Sequence, residues 1–356
     1  LKALEANMYP WIRGGKKFTS AAHLLASFSG RGIVMATGEW HFRFARHCIH
    51  SLRIVGSTLP IEVYYAGSGD LAAGHIAELN AIDGVTVLDL ADFFDLEIGK
   101  VNGWAVKPFA MLASRFREMI FIDADALFFQ PPEVMFDFEG YLRTGATFFM
   151  DRTMGAGATA TRDFFSSFVP YPSDYARAKG RIMRMLSVHE GESGVIVYDK
   201  VINFHGLLAA VKMNAAPWRD VMYKVIHGDK ESYWMAQELM NLRYEWAPGG
   251  GGTVGFLEDL SVCGGLYHPD ENYRPLWWNG GVTMNKYTPE GKGMLNLTHW
   301  ATDRDFDGMR WEWEQAAKPF CLFPKDPVRD IGELTPVERE HGRQFQEAWK
   351  RLEGPN

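Results

Sequence analysis

An α/β fold built on a mainly parallel, doubly wound sheet is predicted by three features of this sequence. Short apolar runs alternate with segments of helical spacing through the first third of the chain. One run, residues 119–122, leads directly into Asp123 and Asp125, as at the carboxyl end of a buried strand. Hydrophobic residues make up 47% of the chain and charged residues 23%, which is typical of a globular protein. Strands that alternate with helices indicate βαβ units, whose parallel strands end at one edge of a sheet.

The individual elements are predicted from apolar periodicity. Short apolar or alternating runs predict strands at residues 32–36, 61–65, 85–88, 119–122, 146–150 and 194–198. Apolar residues near helical spacing predict helices at residues 40–55, 71–79, 104–116, 200–211 and 230–242. Four consecutive glycines, Gly249 to Gly252, predict a mobile loop. Thr335-Pro336-Val337-Glu338 predicts the start of a last helix.

Charge and cysteine content narrow the class of protein. The formal net charge is -7 at pH 7 and the isoelectric point is near 5.9, which argues against broad nucleic-acid binding. The three cysteines, Cys48, Cys263 and Cys321, lack the spacing of metal ligands. The sequence leaves open whether Cys263 and Cys321 form a disulfide. No apolar run approaches the length of a membrane span.

Asp123 and Asp125 are the candidate centre of the chemistry. Side chains at positions i and i+2 of an extended segment point the same way, so the two carboxylates are expected to share one hard divalent cation. Carboxylate oxygens suit Mg²⁺ or Mn²⁺, and substrate phosphates commonly supply further ligands to these ions. The alternative is a pair of ordinary strand-end aspartates that hydrogen-bond their own backbone.

Seven separated motifs span most of the chain. In sequence order they are Gly32-Ile33-Val34-Met35-Ala36-Thr37-Gly38, Leu59-Pro60-Ile61-Glu62-Val63, Lys107-Pro108-Phe109-Ala110, Ile122-Asp123-Ala124-Asp125, Glu192-Ser193-Gly194, Gly228-Asp229-Lys230-Glu231 and Pro275-Leu276-Trp277-Trp278-Asn279-Gly280. In this order the chain resembles the fungal Golgi α-mannosyltransferases of the α-1,3/α-1,2 type. The resemblance implies a GT-A fold, GDP-mannose as donor, a mannose-terminated glycan as acceptor, Mn²⁺ as cofactor with Mg²⁺ as the alternative, and retention of the donor's α configuration. It also implies a type II membrane protein of the Golgi lumen, whose anchor we expect to lie outside this chain.

We divide the chain into three regions on this basis. Residues 1–30 form an N-terminal arm, residues 31–330 a single GT-A catalytic domain, and residues 331–356 a C-terminal helix. Within the catalytic domain, residues 31–130 are assigned to the nucleotide sugar and residues 131–330 to the acceptor. The sequence Trp278-Asn279-Gly280 favours an α-1,3 linkage over an α-1,2 linkage.

The resemblance makes Asp125 the expected direct metal ligand and places Asp123 nearer the ribose and a metal-bound water. A further ligand is expected from the C-terminal half of the chain, and two candidates remain. Asn279 stands where related sequences place this ligand, whereas His268 is of the residue type that GT-A enzymes commonly use. We favour Asn279 slightly, since an amide oxygen is an acceptable hard ligand.

Lys107, Thr37 and Gly38 are assigned to the donor nucleotide. The Lys107 ammonium, at the start of the helix before the aspartate strand, is expected to reach a donor phosphate or ribose. The alternative for Lys107 is a solvated lysine at a helix start. Thr37 and Gly38 end the first strand, where a small residue lets the backbone approach the base or ribose. The alternative there is a simple turn with Thr37 as a helix cap.

Glu192, Asp229 and Lys230 are assigned to the acceptor side, together with Trp277 and Trp278. An acceptor hydroxyl must lose a proton and the developing oxocarbenium charge must be met, so Glu192 and Asp229 are the catalytic candidates. The alternative for Glu192 is a position in a surface loop. The alternatives for Asp229 are a helix N-cap and a residue that binds acceptor hydroxyls without taking part in the chemistry. Lys230 is a candidate for acceptor binding. Trp277 and Trp278 are expected to face opposite ways, one into the core and the other towards a mannose ring.

Two other functions remain open. A GT-A transferase that uses a uridine diphosphate sugar would carry the same aspartate pair and lysine motif. A catalytically silent glycan-binding protein could keep the same fold, although the joint presence of the aspartate pair, Glu192 and Asp229 disfavours it. A nucleotide-dependent dehydrogenase is weaker still, because Thr37-Gly38-Glu39-Trp40 follows the first strand in place of a Gly-Xaa-Gly-Xaa-Xaa-Gly turn.

Overall fold

The N-terminal arm carries enough apolar side chains to pack against the rest of the protein. The computed structural model describes residues 2–14, 17–155, 158–306, 310–313 and 315–353. The arm contains three short helices, α1 (Lys2–Met8), α2 (Pro10–Gly14) and α3 (Ala21–Ala26). Trp11, Ile12 and Leu24 are fully buried in the core that covers one face of the central sheet.

The predicted helices are present and are mostly shorter than expected. The remaining helices are α4 (Phe42–Ile54), α5 (Ala73–Asn80), α6 (Leu96–Gly99), α7 (Val106–Ala113), α8 (Glu139–Thr144), α9 (Ala158–Phe168), α10 (Asp174–Lys179), α11 (Phe204–Asn214), α12 (Trp218–Met222), α13 (Ser232–Leu239), α14 (Pro327–Asp330) and α15 (Pro336–Glu353). The five predicted before residue 300 correspond to α4, α5, α7, α11 and α13. No helix within the described ranges combines the length and apolar character that crossing a membrane requires.

The strands within the described ranges fall into two sheets. In chain order they are β1 (Arg31–Ala36), β2 (Ile61–Tyr65), β3 (Val85–Asp89), β4 (Glu118–Ile122), β5 (Ala126–Phe128), β6 (Ala146–Met150), β7 (Gly191–Asp199), β8 (Glu245–Trp246), β9 (Gly250–Glu258), β10 (Ser261–Pro269), β11 (Pro275–Asn279), β12 (His299–Asp303), β13 (Arg310–Glu312), β14 (Phe320–Phe323) and β15 (Ile331–Glu333). All six predicted strands are present, each within a few residues of its expected ends.

The central sheet has the order β3-β2-β1-β4-β7-β6-β8. β3, β2, β1 and β4 are parallel neighbours, β7 runs antiparallel to β4 and β6, and β8 is parallel to β6. Side chains alternate between two cores, so that Val34 and Phe121 pack on one face and Ile33 and Ile120 on the other. The predicted α/β class with a mainly parallel sheet is confirmed, and this architecture is the one expected of the GT-A class.

An antiparallel second sheet was not predicted. Its order is β13-β14-β10-β9-β12-β15, and β11 joins it by pairing with both β10 and β5. The prediction of a mobile loop at Gly249 to Gly252 is wrong, because Gly250 begins β9. The glycines allow close approach of neighbouring chains: a Cβ atom on Gly252 would lie 2.1 Å from the Ala301 carbonyl oxygen.

A disulfide joins two strands of the second sheet. Cys263 on β10 and Cys321 on β14 lie directly opposite each other and are covalently linked. Cys48 in α4 is free and buried. The pairing that the sequence left open is therefore formed in the structure.

The C-terminal helix packs on the N-terminal half of the fold. α15 lies against α4, where the His47 Nε2 atom is 2.8 Å from the Phe345 carbonyl oxygen. The predicted helix start at Pro336 is confirmed, and α15 runs to Glu353. Residues 354–356, which the predicted C-terminal region included, lie outside the described ranges.

Candidate active site

A cleft of about 1000 Å³ lies at the carboxyl ends of β1 and β4, between the two sheets. This is the edge at which open α/β sheets bind ligands. The cleft brings together nine of the residues nominated from the sequence, namely Thr37, Gly38, Lys107, Asp123, Asp125, Glu192, Asp229, Lys230 and Asn279. His268, Trp277 and Trp278 are not among its lining residues.

The aspartate pair lies in a turn, not in an extended segment as expected. β4 ends at Ile122, the Asp123 N–H donates to the Gly194 carbonyl (2.8 Å), and the Ala126 N–H donates back to the Asp123 carbonyl (3.1 Å). The extended conformation assumed for this pair is therefore absent. Both carboxylates still line the cleft, but each binds a different lysine.

Asp123 pairs with Lys107. The Lys107 Nζ atom lies 2.8 Å from Asp123 Oδ2 and 3.3 Å from Ser193 Oγ, and the lysine side chain is only 14% exposed. Burial raises the pKa of Asp123 to about 6, against the opposing effect of Lys107. Burial alone would lower the pKa of Lys107, but the charges of Asp123 and Asp229 raise it above its usual value. A solvated helix-start lysine is thus the wrong reading of Lys107.

Asp125 pairs with Lys286, a residue that the sequence analysis missed. The Lys286 ammonium donates to Asp125 Oδ2. Burial opposes ionisation of Asp125, but the Lys286 charge and hydrogen bond lower its pKa below the usual value. Lys286 lies in the segment after β11 and is separated from Asp125 by 161 positions. No local motif marks this lysine in the sequence.

Asn279 reaches the cleft because of strand pairing. At the end of β11 it lies opposite Ala126, the residue that follows Asp125. Its Nδ2 donates to Glu192 Oε1 (3.2 Å), and its Oδ1 is buried with no hydrogen-bond partner among the described residues. An amide oxygen and the carboxylates of Asp123 and Asp125, which line the same cleft, are donor groups that suit Mg²⁺ or Mn²⁺. These residues therefore fit the metal that the family resemblance implies.

His268 does not fit that role. It is 1% exposed, and its ring stacks on Trp277 with 4.3 Å between ring centroids. Burial lowers the pKa of His268 to about 3. Of the two candidates for the third ligand, only Asn279 lies in the cleft, because β10 directs His268 into the core.

Glu192 lies within β7, so its surface-loop alternative is wrong. Its Oε1 atom accepts from the Gly194 N–H (2.8 Å) as well as from Asn279. Burial, reinforced by the charge of Asp151, raises the pKa of Glu192 to about 7. Asp151, also missed by the sequence analysis, pairs with Lys230 at 2.6 Å in the same part of the cleft.

Asp229 does not cap α13. The N-cap of that helix is Glu231, and the Asp229 carboxylate instead accepts from Tyr233 Oη (2.8 Å). Ser193 Oγ lies 3.4 Å from Asp229 Oδ1, and Lys107 Nζ lies 3.8 Å from the same oxygen. The carboxylate is thus held at the cleft by three side chains.

Thr37 and Gly38 line the cleft just beyond the end of β1. Asp70 packs so closely that a Cβ atom on Gly38 would lie 2.6 Å from Asp70 Oδ1, which explains the need for glycine. The helical turn that follows has Gly38 at its N-cap position and no side-chain cap. The alternative role of Thr37 as a helix cap is therefore wrong.

The acceptor role predicted for Trp277 or Trp278 is wrong. Both side chains are 0% exposed. Trp277 packs on Phe149 and His268, whereas Trp278 packs at a tilt on Phe129 and donates from Nε1 to the Gly281 carbonyl (2.8 Å). β11 pairs with β10 at one edge and with β5 at the other, and core residues cover both of its tryptophans. The aromatic side chains that do line the cleft are Trp40, Trp104, Tyr287 and Phe320.

A parallel-rich α/β sheet with an acidic, lysine-bearing cleft at its carboxyl edge has the features of the GT-A class. Residues 30–273 match the family model described as "Mannosyltransferase putative". The chain belongs to this mannosyltransferase family, which confirms the family predicted from the seven motifs.

Individual relatives are fungal. The chain is 26% identical over 341 residues to the "Putative alpha-1,3-mannosyltransferase MNN14" of Candida albicans, covering 78% of this chain and 49% of that protein. It is 25% identical over 306 residues to the alpha-1,3-mannosyltransferase MNT3 of Saccharomyces cerevisiae, covering 72% and 47%. The chain thus spans about half the length of these relatives. Among solved structures, the mannosyltransferase Ktr4p of S. cerevisiae has a TM-score of 0.41 and 11% identity, with 60% of this chain and 66% of that chain covered.

Proposed function

We propose that this chain transfers mannose from GDP-mannose to a mannose-terminated glycan, with retention of configuration and with an α-1,3 linkage favoured over α-1,2. Membership of a mannosyltransferase family and relatives named as alpha-1,3-mannosyltransferases support this proposal. The observation that carries it is the convergence, in one cleft, of Asp123, Asp125, two lysines and the unpartnered Asn279 amide oxygen.

The donor side must stabilise negative charge on a departing diphosphate. Asp125, Asp123 and Asn279 would hold Mn²⁺, or Mg²⁺ as the alternative, and such an ion supplies positive charge to the leaving group. Lys107 and Lys286 add two ammonium groups to the same part of the cleft. Each ammonium pairs with one of the two aspartates and offsets its negative charge.

The acceptor side must bind a hydroxyl group of the acceptor and take up the proton that this group loses. With its pKa raised to about 7, Glu192 is able to exchange a proton near neutral pH, and we place it beside the anomeric carbon. Asp229, fixed by Tyr233, is assigned to bind the acceptor hydroxyl. Lys230 pairs with Asp151 and is assigned to the acceptor as well. Both a covalent intermediate and same-face attack are compatible with these positions.

We also propose that the protein works in the Golgi lumen. The disulfide between Cys263 and Cys321 supports an oxidising compartment, because such bonds are rare where thiols are kept reduced. Immunolocalisation of the full-length protein would test the assignment. So would treatment with an endoglycosidase that removes N-linked glycans, because such glycans are attached only in the secretory lumen.

Donor and acceptor assays test the activity directly. The chain is incubated with Mn²⁺, an α-mannobiose acceptor and, in separate reactions, GDP-mannose, UDP-glucose, UDP-galactose or UDP-N-acetylglucosamine. We expect transfer only from GDP-mannose, with an α-1,3-linked product when its linkage is determined by NMR. Transfer from a uridine diphosphate sugar alone would replace the donor assignment. Glycan binding without GDP release from GDP-mannose would show a catalytically silent protein.

A conservative substitution tests the metal assignment. Asp125→Asn keeps the size of the side chain but removes its charge, so we expect transfer to fall by about 100-fold or more. We also expect Mn²⁺-dependent GDP binding to be lost in calorimetry. Asp174→Asn, at an aspartate whose side chain is 98% exposed, is the matched control and should behave as wild type. An Asp125→Asn protein with wild-type transfer would contradict the assignment.

A further inference from the structure

Trp104 is an aromatic residue of the cleft wall. It lies in the short 3₁₀ turn Gly103–Ala105, just before Lys107, and it lines the cleft together with His227 and Asp229. The residue is 50% exposed. An exposed aromatic face in a polar cleft is a surface on which the apolar face of a sugar ring can stack.

The neighbours of Trp104 hold its indole in place. The Tyr223 ring meets it edge-on with 6.2 Å between centroids, and the His227 ring lies 5.1 Å away at an angle of 51°. Gly228, with φ of 65°, carries the chain past the indole, and a Cβ atom there would lie 2.8 Å from the Trp104 ring. This left-handed, closely packed position requires glycine. A ring already held in this way loses little conformational entropy when a ligand stacks on it.

Polar groups suited to sugar hydroxyls adjoin the indole. Asp229 follows Gly228 directly, and its carboxylate is oriented by Tyr233 Oη at 2.8 Å. His227 lines the cleft beside it, and burial lowers its pKa, so that its imidazole is neutral at pH 7 and offers one donor and one acceptor. A pyranose presents an apolar C–H face and a rim of hydroxyls, which this combination of groups complements.

We propose that Trp104, His227 and Asp229 form a subsite for one pyranose ring of the acceptor, with that ring stacked on the Trp104 indole. The proposal rests on the proposed function and specifies where its acceptor binds. The donor nucleotide is assigned to Thr37 and Gly38 at the end of β1, on a different wall segment of the cleft.

Steady-state kinetics with GDP-mannose and α-mannobiose test the subsite. Trp104→Ala is expected to raise the acceptor KM about tenfold, because a stacking surface and its buried area are lost. The KM for GDP-mannose and the slow hydrolysis of donor without acceptor are expected to stay at wild-type values. Trp104→Phe keeps a smaller ring and is expected to recover part of the loss. Thermal melting establishes that each variant is folded.

Trp218→Ala is the matched control. Trp218 is 54% exposed, close to the value for Trp104, but it lies outside the cleft. This variant should keep the wild-type acceptor KM. An unchanged acceptor KM in a folded Trp104→Ala protein would overturn the proposal. So would a raised KM for GDP-mannose with a normal acceptor KM, since the indole would then contact the donor.

A binding measurement separates failure of the subsite from failure of the proposed function. If the wild-type protein transfers mannose from no donor, saturation-transfer NMR is performed with α-mannobiose in the presence of Mg²⁺ and GDP. A signal in wild type that is lost in Trp104→Ala would support the subsite even though the proposed activity had failed. Equal signals in the two proteins, or no signal in wild type, would overturn the subsite.

Discussion

Asp125 is tied to the segment after β11 through both its side chain and its backbone. Its carboxylate accepts from Lys286, and its carbonyl oxygen accepts from the N–H groups of Gly280 (3.2 Å) and Gly281 (2.9 Å). A change at the carboxylate therefore alters the contacts of the segment that carries Lys286. This coupling makes Lys286 a sensitive probe of the charge at the metal site.

Lys286→Met is expected to lower the stability of the metal-free protein. The substitution leaves the Asp125 carboxylate, whose side chain is 10% exposed, without its cationic partner. We expect the free energy of unfolding to fall by about 1–3 kcal/mol, measured by urea denaturation without metal. Because Mn²⁺ no longer competes with an ammonium at Asp125, millimolar Mn²⁺ alone should raise the melting temperature of this variant more than that of wild type.

Lys318→Met provides the comparison for this effect. Lys318 pairs with Glu258 on the surface and has a side chain that is 37% exposed. Its substitution should change stability little and leave the response to Mn²⁺ at the wild-type level. If Lys286→Met also matched wild type in both measurements, Mn²⁺ and Lys286 would not share Asp125.

At the scale of single residues, the sequence predicted the carboxylates of the cleft better than it predicted the lysines that pair with them. Asp123, Asp125 and Asp229 follow or precede recognisable elements, so their common edge of the sheet could be inferred. Lys286 could not, because its contact with Asp125 depends on how an unpredicted second sheet folds back. The second sheet also explains why acceptor binding was wrongly predicted for Trp277, because strands far away in sequence bury this side chain.

At the scale of elements, the two halves of the chain differ in how well their sequence predicts them. β1 to β4 are short apolar runs separated by helices, so periodicity was sufficient. β9 and β10 are long strands rich in glycine, a residue that ordinarily weakens strands and marks loops. Here glycine reflects the close approach of neighbouring strands. That reason is visible only once the strands are paired.

Gly252→Ala is expected to destabilise the fold. The added methyl group would lie 2.1 Å from the Ala301 carbonyl oxygen, on a neighbouring strand that cannot rotate away. We expect a loss of about 1–3 kcal/mol in the free energy of unfolding, the usual cost of overpacking, measured by chemical denaturation.

The same substitution at Gly74 separates sterics from a general effect of glycine replacement. Gly74 lies in α5, and a Cβ atom there would meet no atom of the described ranges within 4 Å. Alanine favours helices, so Gly74→Ala should stabilise the protein by about 0.5–1 kcal/mol. Equal stability changes in the two variants would show that the packing of β9 against β12 does not require glycine.

At the scale of the whole molecule, buried groups with opposite pKa shifts act against each other. The pKa of Glu192 is raised to about 7 and that of Asp123 to about 6, so their contribution to stability is lost as the pH rises through these values. The pKa of His47 is lowered to about 4 and that of His268 to about 3, mainly by burial. Their contribution is present above pH 6.5 and is lost as the pH falls. The overall pH dependence of stability is the sum of these contributions, so a stability profile of the wild-type protein does not identify the contribution of any one residue.

His268→Phe isolates one of these terms. Phenylalanine keeps an aromatic ring against Trp277 and removes a buried nitrogen, Nε2, that has no hydrogen-bond partner in the part of the chain that the structure describes. In wild type, the unfolded chain binds a proton at residue 268 below about pH 6.5, whereas the folded protein does not do so until about pH 3. At pH 5 this difference costs wild type about 2 kcal/mol relative to pH 7. The variant has no such loss, so its stability advantage over wild type should grow by that amount between pH 7 and pH 5. The other titrating groups cancel when the two proteins are compared by urea denaturation at each pH, and parallel stability profiles would mean that the folded protein accommodates a charged His268.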